Sequence, residues 1–399
     1  MKQYKNAVLF ICIAVISSMC SGCATVRNAL PERMAMRATV DNMSDIRTYL
    51  GSEDSQLQRN LIASIKEENP ADYPMGPDGV KVYPILAISG GSSNGAYGAG
   101  LLKGWSEEGS RPKFKIITGV STGAITAPFV FLGKDYDEEL EKIYTTMSTK
   151  DVMKTKNPIQ LLFENSFTSN KPLEKSIDKI VTHGFLEKIA VEHKAGRRLY
   201  FGTTNLDSEE FIVWDMGAIA ARGDKELFKD VTRASAAIPI IFPPVLINVK
   251  ADGETYDEMH VDGGTMTQAF TVYRLIDPMA ERAAGLHPSK LKMKYYLIRN
   301  GYIEGSYHEV KDDLATIAAH ASDTMINAQG VGDTYRIYTY AKDRGNDFYL
   351  AFIPSDYRPP KTQEFDPHQM KELFDKGYQD AVNGYKWHTV PPGMKEHSN

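Results

Sequence analysis

Two glycine-rich turns, each set directly after a short apolar run, limit the folds open to this chain. Residues 82–89 are largely apolar and run into Gly90-Gly91-Ser92-Ser93-Asn94-Gly95. Residues 114–118 are followed by Gly119-Val120-Ser121-Thr122-Gly123. Short apolar runs bounded by turn residues read as buried strands. A helix fits 96–108, ended by Gly109, and another fits 124 to about 131. Strand, helix, strand, helix with short turns is a βαβ series, so a parallel sheet with helices on its faces is expected. The chain has 399 residues, enough for one large core or two smaller ones.

Further along, 135–194 reads as mainly helical with a loop near 157–170. Strands fit 198–204 and 211–214, and a helix over 228–237 is stopped by Pro239. A hairpin turns at Asp252-Gly253. Later strands fit 294–299 and 348–353, with helices near 311–328 and 367–384. Before the first strand, Met34, Met36, Val40, Met43 and Ile46 recur at near-helical spacing, as do Leu57, Leu61, Ile62 and Ile65. That spacing predicts helix over 30–69, broken by Pro70 and by the Pro/Gly-rich stretch 74–79.

The N-terminus has its own logic. Lys2 and Lys5 precede an apolar stretch over 7–19, and small residues follow. This is the layout of a secretory signal, and the apolar stretch is short for a bilayer span. Cys20-Ser21-Gly22-Cys23-Ala24 resembles a bacterial lipobox, with Cys20 where Leu is usual. The three cysteines are Cys12, Cys20 and Cys23. Cleavage before Cys23 leaves that residue lipidated and the mature chain without a free thiol, so no disulfide framework is expected. An uncleaved signal anchor is the alternative. No Asp follows Cys23, and by resemblance to such lipoproteins the periplasmic side of an outer membrane is expected.

Charge excludes some partners. The 46 basic and 51 acidic residues give a formal net charge of −5 with no basic stripe, which argues against nucleic-acid binding. The mean hydropathy of −0.34 excludes a polytopic membrane protein.

The chemistry concentrates in the glycine turns. G-x-S-x-G places Ser121 on a sharp strand-to-helix turn, with Gly119 and Gly123 where larger residues would clash. Its hydroxyl is exposed at a helix N-terminus that favours developing negative charge. The loop at 90–95 lacks the Gly-Lys-Ser/Thr of a phosphate cradle and the spacing of a dinucleotide fingerprint. It leaves backbone N–H groups that, beside a serine nucleophile, could hold an oxyanion. It is equally a tight turn that lets Gly95, Ala99 and Gly100 pack on the sheet. A third punctuation, Asp262-Gly263-Gly264, is either an ordinary Asp-Gly turn or an acid projected into a shared cleft.

Taken together these blocks resemble the patatin-like phospholipase family over roughly residues 81–300. The resemblance also draws on residues 203–207, Val213-Trp214-Asp215, Arg233-Ala234-Ser235-Ala236-Ala237-Ile238-Pro239 and Phe242-Pro243-Pro244. It implies a three-layer α/β/α sandwich with a mostly parallel central sheet, here over 76–390. A signal peptide (1–22) and a lipid-anchored tether and helical arm (23–75) precede it, and a flexible tail (391–399) follows. It implies a Ser121–Asp262 dyad, with Gly90, Gly91 and Ser92 as oxyanion donors and Gly263 and Gly264 completing the Asp motif. The implied reaction is hydrolysis of fatty acyl esters through an acyl-enzyme, with membrane phospholipid or another acyl lipid as partner. No metal or other cofactor is implied. Ser92 and Asn94 stand where the family commonly has Gly and a cation, which bears on substrate charge preference.

Two rivals stay open. An α/β-hydrolase would need a histidine after the acid, and His287, His308, His320, His368 and His388 are available by order. His320, in an apolar helix, reads as a core histidine. A non-catalytic, membrane-anchored binding lipoprotein would need neither Ser121 nor Asp262.

Overall fold

The computed structural model describes residues 27–394, apart from 42, 51–55, 158–164, 273–289, 306, 308 and 361. The signal segment, Cys23, His287 and His308 lie outside the described residues. The first half contains β1 (Arg47–Tyr49), α1 (Gln56–Glu67), β2 (Lys81–Ile88), α2 (Gly95–Glu108), β3 (Ile116–Gly119), α3 (Thr122–Leu132), α4 (Asp137–Thr146) and α5 (Thr149–Val152). A small hairpin of β4 (Lys154–Thr155) and β5 (Thr168–Ser169) leads to α6 (Lys171–Ile180) and α7 (His183–Lys194). Then come β6 (Arg198–Asn205), β7 (Glu210–Asp215), α8 (Met216–Ala221), α9 (Lys225–Ser235), β8 (Val245–Ala251) and β9 (Glu254–Asp262). The last elements are β10 (Leu291–Arg299), α10 (Leu314–Asp343), β11 (Asp347–Phe352) and α11 (Pro367–Val382).

Apart from β4 and β5, the strands form one mixed sheet in the order β1-β7-β6-β3-β2-β10-β11, with β9 also on β6 and β8 on β9. Its central strands, β6, β3, β2, β10 and β11, all run parallel. They are buried on both faces, and their side chains alternate between two cores. Leu86 and Ile88 of β2 join one core, and Ile85 and Ala87 join the other. The first core is roofed by Tyr97 and Leu101 of α2, Phe129 of α3, Ile189 of α7, Val231 of α9 and Leu373 of α11. The second is roofed by Leu61 of α1 and by Ile337 and Ala341 of α10. The result is the parallel sheet with helices on its faces that the βαβ spacing predicts, in the three-layer α/β/α form that the patatin-like resemblance implies.

Registers set the geometry of one sheet edge. Ile88 pairs with Gly119 on one side and with Ile298 on the other. The segments after β2, β3 and β10 therefore emerge in a row at the carboxyl edge, where open α/β sheets bind ligands. Strand β9 runs antiparallel to β6 with Thr203 opposite Asp262, which delivers Asp262 to the same edge.

Several expectations change. The helix predicted over 30–69 is helical in α1 and in a short 3-10 turn at Glu32–Arg37. Between them β1 pairs antiparallel with β7, and Thr39 exchanges backbone hydrogen bonds with Lys250. The free edge of β7 needs backbone partners, and Val40 and Ile46 find burial there, so tertiary pairing overrides helical spacing. Arg47 pairs with Glu258 of β9, and Arg27 bridges Asp207 and Asp257. Residues from 27 onward thus belong to the folded body rather than to a separate arm. Gly100 packs on α11 rather than on the sheet: a Cβ there would meet the Phe374 carbonyl oxygen at 1.9 Å. Helix α10 is longer than expected, and its first half stands out, with Leu314 85% exposed and Met325 65% exposed. His320 lies on that half-buried stretch, so it is not a core residue. At the tail, the Tyr335 hydroxyl donates to the Pro392 carbonyl.

Candidate active site

Ser121 sits between β3 and α3 with φ 56° and ψ −124°, a conformation that costs a non-glycine residue on the order of 1–3 kcal/mol. The surroundings enforce it. A Cβ on Gly119 would lie 2.5 Å from the Gly123 carbonyl oxygen, and one on Gly123 would lie 2.2 Å from that of Ile88. Ser121 donates its N–H to Ser235 Oγ at 3.0 Å, and Ser235 donates in turn to the Gly202 carbonyl at 2.8 Å. The Arg233–Pro239 block thereby locks the elbow against β6.

Asp262 ends β9. Its N–H donates to the Ala237 carbonyl at 2.9 Å, and its Oδ1 accepts the Gly264 N–H at 2.7 Å. Burial pushes its carboxyl up to about 7, against the lowering influence of the Ser121 hydroxyl and the Gly264 N–H. Oδ2 is buried without a well-formed hydrogen bond. The acid is thus close enough to Ser121 to feel its hydroxyl, with one oxygen uncommitted. Such contacts are commonly loose before substrate arrives and tighten in the reacting complex.

Both side chains line one cleft of about 250 Å³ together with Gly90, Gly91, Ser92 and Asn94. The loop needs glycine at 91, where a Cβ would meet the Asn300 carbonyl oxygen at 1.9 Å. Ser92 adopts φ 51°, the left-handed conformation a glycine would take freely, and its hydroxyl donates to Glu364. One expectation fails: the Gly90 N–H donates to the Gln268 carbonyl at 3.0 Å and is not available to an oxyanion. Gly91 and Ser92 remain as the loop's candidate donors. Gly263 packs on the Gly202 backbone, which sets the turn after Asp262.

A second, narrower cavity of about 40 Å³ leaves the same serine in another direction. Ser92 and Ser121 line it together with apolar walls that include Ile125, Ile143, Met147 and Phe242. Ser121 therefore stands where a polar cleft meets an apolar slot.

No histidine lines either cavity among the described residues. His260, two residues before Asp262, is fully buried and occupied at both nitrogens, by Thr203 Oγ1 and by Glu258. Burial holds its pKa below the usual imidazole range. The ring of His388 lies against Phe352, and His368 is exposed beside Glu372. Among the described residues no cluster of His, Cys, Asp and Glu is placed to hold a metal ion, and no helix is long and apolar enough to cross a membrane.

Residues 86–272 match the model of the patatin-like phospholipase family. That span is a patatin-like domain. The matched span carries the serine elbow, the loop after β2 and the Asp-Gly-Gly turn. Among solved structures, VipD from Legionella pneumophila is similar at 13% identity, over 76% of this chain and 67% of that one, with a TM-score of 0.35. The comparison with curated proteins gives no match. A patatin-like domain implies a lipid-hydrolysing esterase, and hence a lipid substrate.

Parts of this patatin-like cleft lie outside the motifs. Gln268 occupies the Gly90 N–H, and its own N–H donates to Asp333 of α10 at 2.6 Å. Burial pushes Asp333 up to about 6. Arg299, at the end of β10, lines the cleft and donates to the Tyr302 carbonyl and to Asn327. It supplies a buried positive charge in a cleft where Asn94 offers none, and burial lowers its pKa to about 10. A polar pair directly after an apolar strand, Arg299-Asn300, is the sequence signal that marks this third strand end.

Proposed function

We propose that the chain is a lipid acyl hydrolase of phospholipase A or lysophospholipase type, with Ser121 as nucleophile and Asp262 as base. The observation that carries this reading is the buried Asp262 carboxyl in one cleft with Ser121, raised toward neutrality, influenced by the Ser121 hydroxyl and with Oδ2 uncommitted. Ser121 Oγ attacks the ester carbonyl carbon and its proton passes to Asp262. The N–H groups of Gly91 and Ser92 stabilise the oxyanion. As the C–O bond breaks, Asp262 returns the proton to the leaving alcohol and an acyl-serine remains. Water then attacks that ester with Asp262 again taking a proton, and as the acyl C–Oγ bond breaks Asp262 gives that proton to Ser121 Oγ, so fatty acid and free Ser121 result. The meeting of a polar cleft with an apolar slot at Ser121 suits an amphipathic ester, its head group in the cleft beside Arg299 and its chain in the slot.

We also propose that the mature protein begins at a lipidated Cys23 and faces the periplasm from the outer membrane. Arg27, already tied to Asp207 and Asp257, follows four residues later, so at about 3.5 Å per residue the body would lie within about 15 Å of its anchor.

The test is a lipid-class panel on wild type and Ser121→Ala, with released fatty acid read by mass and active-site labelling by a serine-directed phosphonate. The variant should release no fatty acid and take no label while keeping the wild-type circular dichroism spectrum. A folded Ser121→Ala protein with full activity overturns the assignment.

A further inference from the structure

The apolar slot at Ser121 is too small for a whole fatty acyl chain. One water-sized group needs roughly 10–15 Å³ of such space, so 40 Å³ admits about three. Ile143 of α4 and Met147 just beyond it are among the walls of the slot. The Met147 N–H donates to the Ile143 carbonyl at 3.2 Å, so the two residues stand one helical turn apart on one side of α4.

The same two side chains also line a groove of about 720 Å³ on the far side. Its apolar lining continues through Phe129, Ile180 and Phe185, between α4, α6 and α7. Charged residues, among them Lys188, stand around it. Ile143 and Met147 are thus a thin apolar septum between a short slot that begins at the serine and a long groove that reaches solvent. Both are partly buried, and the unbranched Met147 side chain can change rotamer at little cost.

We propose that a long acyl chain runs from Ser121 through the slot, past Ile143 and Met147, into this groove, and that these two side chains set the acyl length the enzyme accepts. The proposal rests on Ser121 being the nucleophile of a lipid acyl hydrolase. The occupant follows from continuity: the slot opens at the reacting serine, and an acyl chain is the part of such a substrate that apolar walls take up. Burying each methylene is worth several-fold in binding, so chain length registers directly in kcat/KM.

The experiment compares kcat/KM for palmitoyl and butanoyl esters in wild type, Met147→Trp, Ile143→Trp and Ile180→Glu. The Trp substitutions fill the septum, and the Glu substitution puts a charge in the groove beyond it. Each should lower the palmitoyl-to-butanoyl ratio by on the order of tenfold. Should a Trp variant fail to fold, Met147→Ala widens the passage and should raise the ratio. Ratios unchanged in folded septum and groove variants overturn the acyl path while leaving the hydrolase reading intact. Failure of wild type to cleave any of the esters overturns the hydrolase reading, and the acyl path with it.

Discussion

Replacing Asp262 by Asn keeps the shape of the side chain and removes its charge, which separates what this carboxyl does for chemistry from what its burial does to stability. The folded-state pKa is about 7 against an ordinary 3.8, and that difference corresponds to ~4 kcal/mol. The sign follows from linkage. At pH well below 3.8 the carboxyl is neutral in both states and its burial carries no charge penalty. Between 3.8 and about 7 the unfolded chain gives up its proton and the folded chain keeps it, so folding becomes steadily less favourable. Above about 7 both are ionised and the full penalty persists. The Asp262→Asn variant escapes this penalty and can still accept the Gly264 N–H through Oδ1. Urea unfolding from pH 4 to 9 should therefore show its stability advantage growing with pH, reaching ~4 kcal/mol near pH 8 and then levelling. Over the same range wild-type kcat/KM should rise with a midpoint near 7, because the base works deprotonated. The variant should lose about a thousandfold, within the usual worth of a positioned general base. A stability difference that stays flat from pH 5 to 8 would show that Asp262 does not hold its proton in the folded enzyme. A wild-type rate profile without an inflection near 7 would deny it the role of base.

The remaining tests address the frame around Ser121 and Asp262. Gly123→Ala forces a Cβ to within 2.2 Å of the Ile88 carbonyl oxygen, so it should cost ~3 kcal/mol or more and displace Ser121; thermal melts and phosphonate labelling read both effects. Arg47→Ala should leave the buried Glu258 without its cation at a cost of about 3–5 kcal/mol. Burial opposes ionisation of Glu258, but hydrogen bonds from His260 and Arg47 hold its pKa down at about 2 from 4.5. The stability gap between wild type and Arg47→Ala should accordingly be full above pH 4.5 and shrink as pH falls toward 2, which chemical unfolding at several pH values can follow. Cys23→Ser should end lipid attachment and move the protein from the membrane to the soluble fraction on cell fractionation; unchanged membrane retention would point to an uncleaved anchor.

What could be read in the sequence was whatever the chain imposes on itself locally. Gly119 and Gly123 are needed because a tight turn brings their Cα atoms against backbone, and that need is visible in five consecutive residues. The same holds for the loop after β2 and for Asp262, whose Oδ1 is held by an N–H two residues away. What could not be read was set by partners far along the chain. The near-helical spacing of Val40 and Ile46 gives no sign that β7 offers a free edge, nor that Arg47 meets Glu258 across more than two hundred residues. The Gly90 N–H has its acceptor at Gln268, so a loop whose amides look equivalent in sequence loses one of its three candidate oxyanion donors to the wall of the cleft. The β10 end shows where sequence reasoning could have gone further. Residues 294–298 are followed by polar Arg299 and Asn300, as 82–88 are by Ser89 and 114–120 by Ser121, but without a G-x-S-x-G pattern to draw attention. In a parallel sheet whose registers align Ile88, Gly119 and Ile298, the first polar residues after each of those strands must share one edge. A search keyed to strand ends rather than to glycines would therefore have placed Arg299 beside Ser121, and with it the positive charge that Asn94 does not provide.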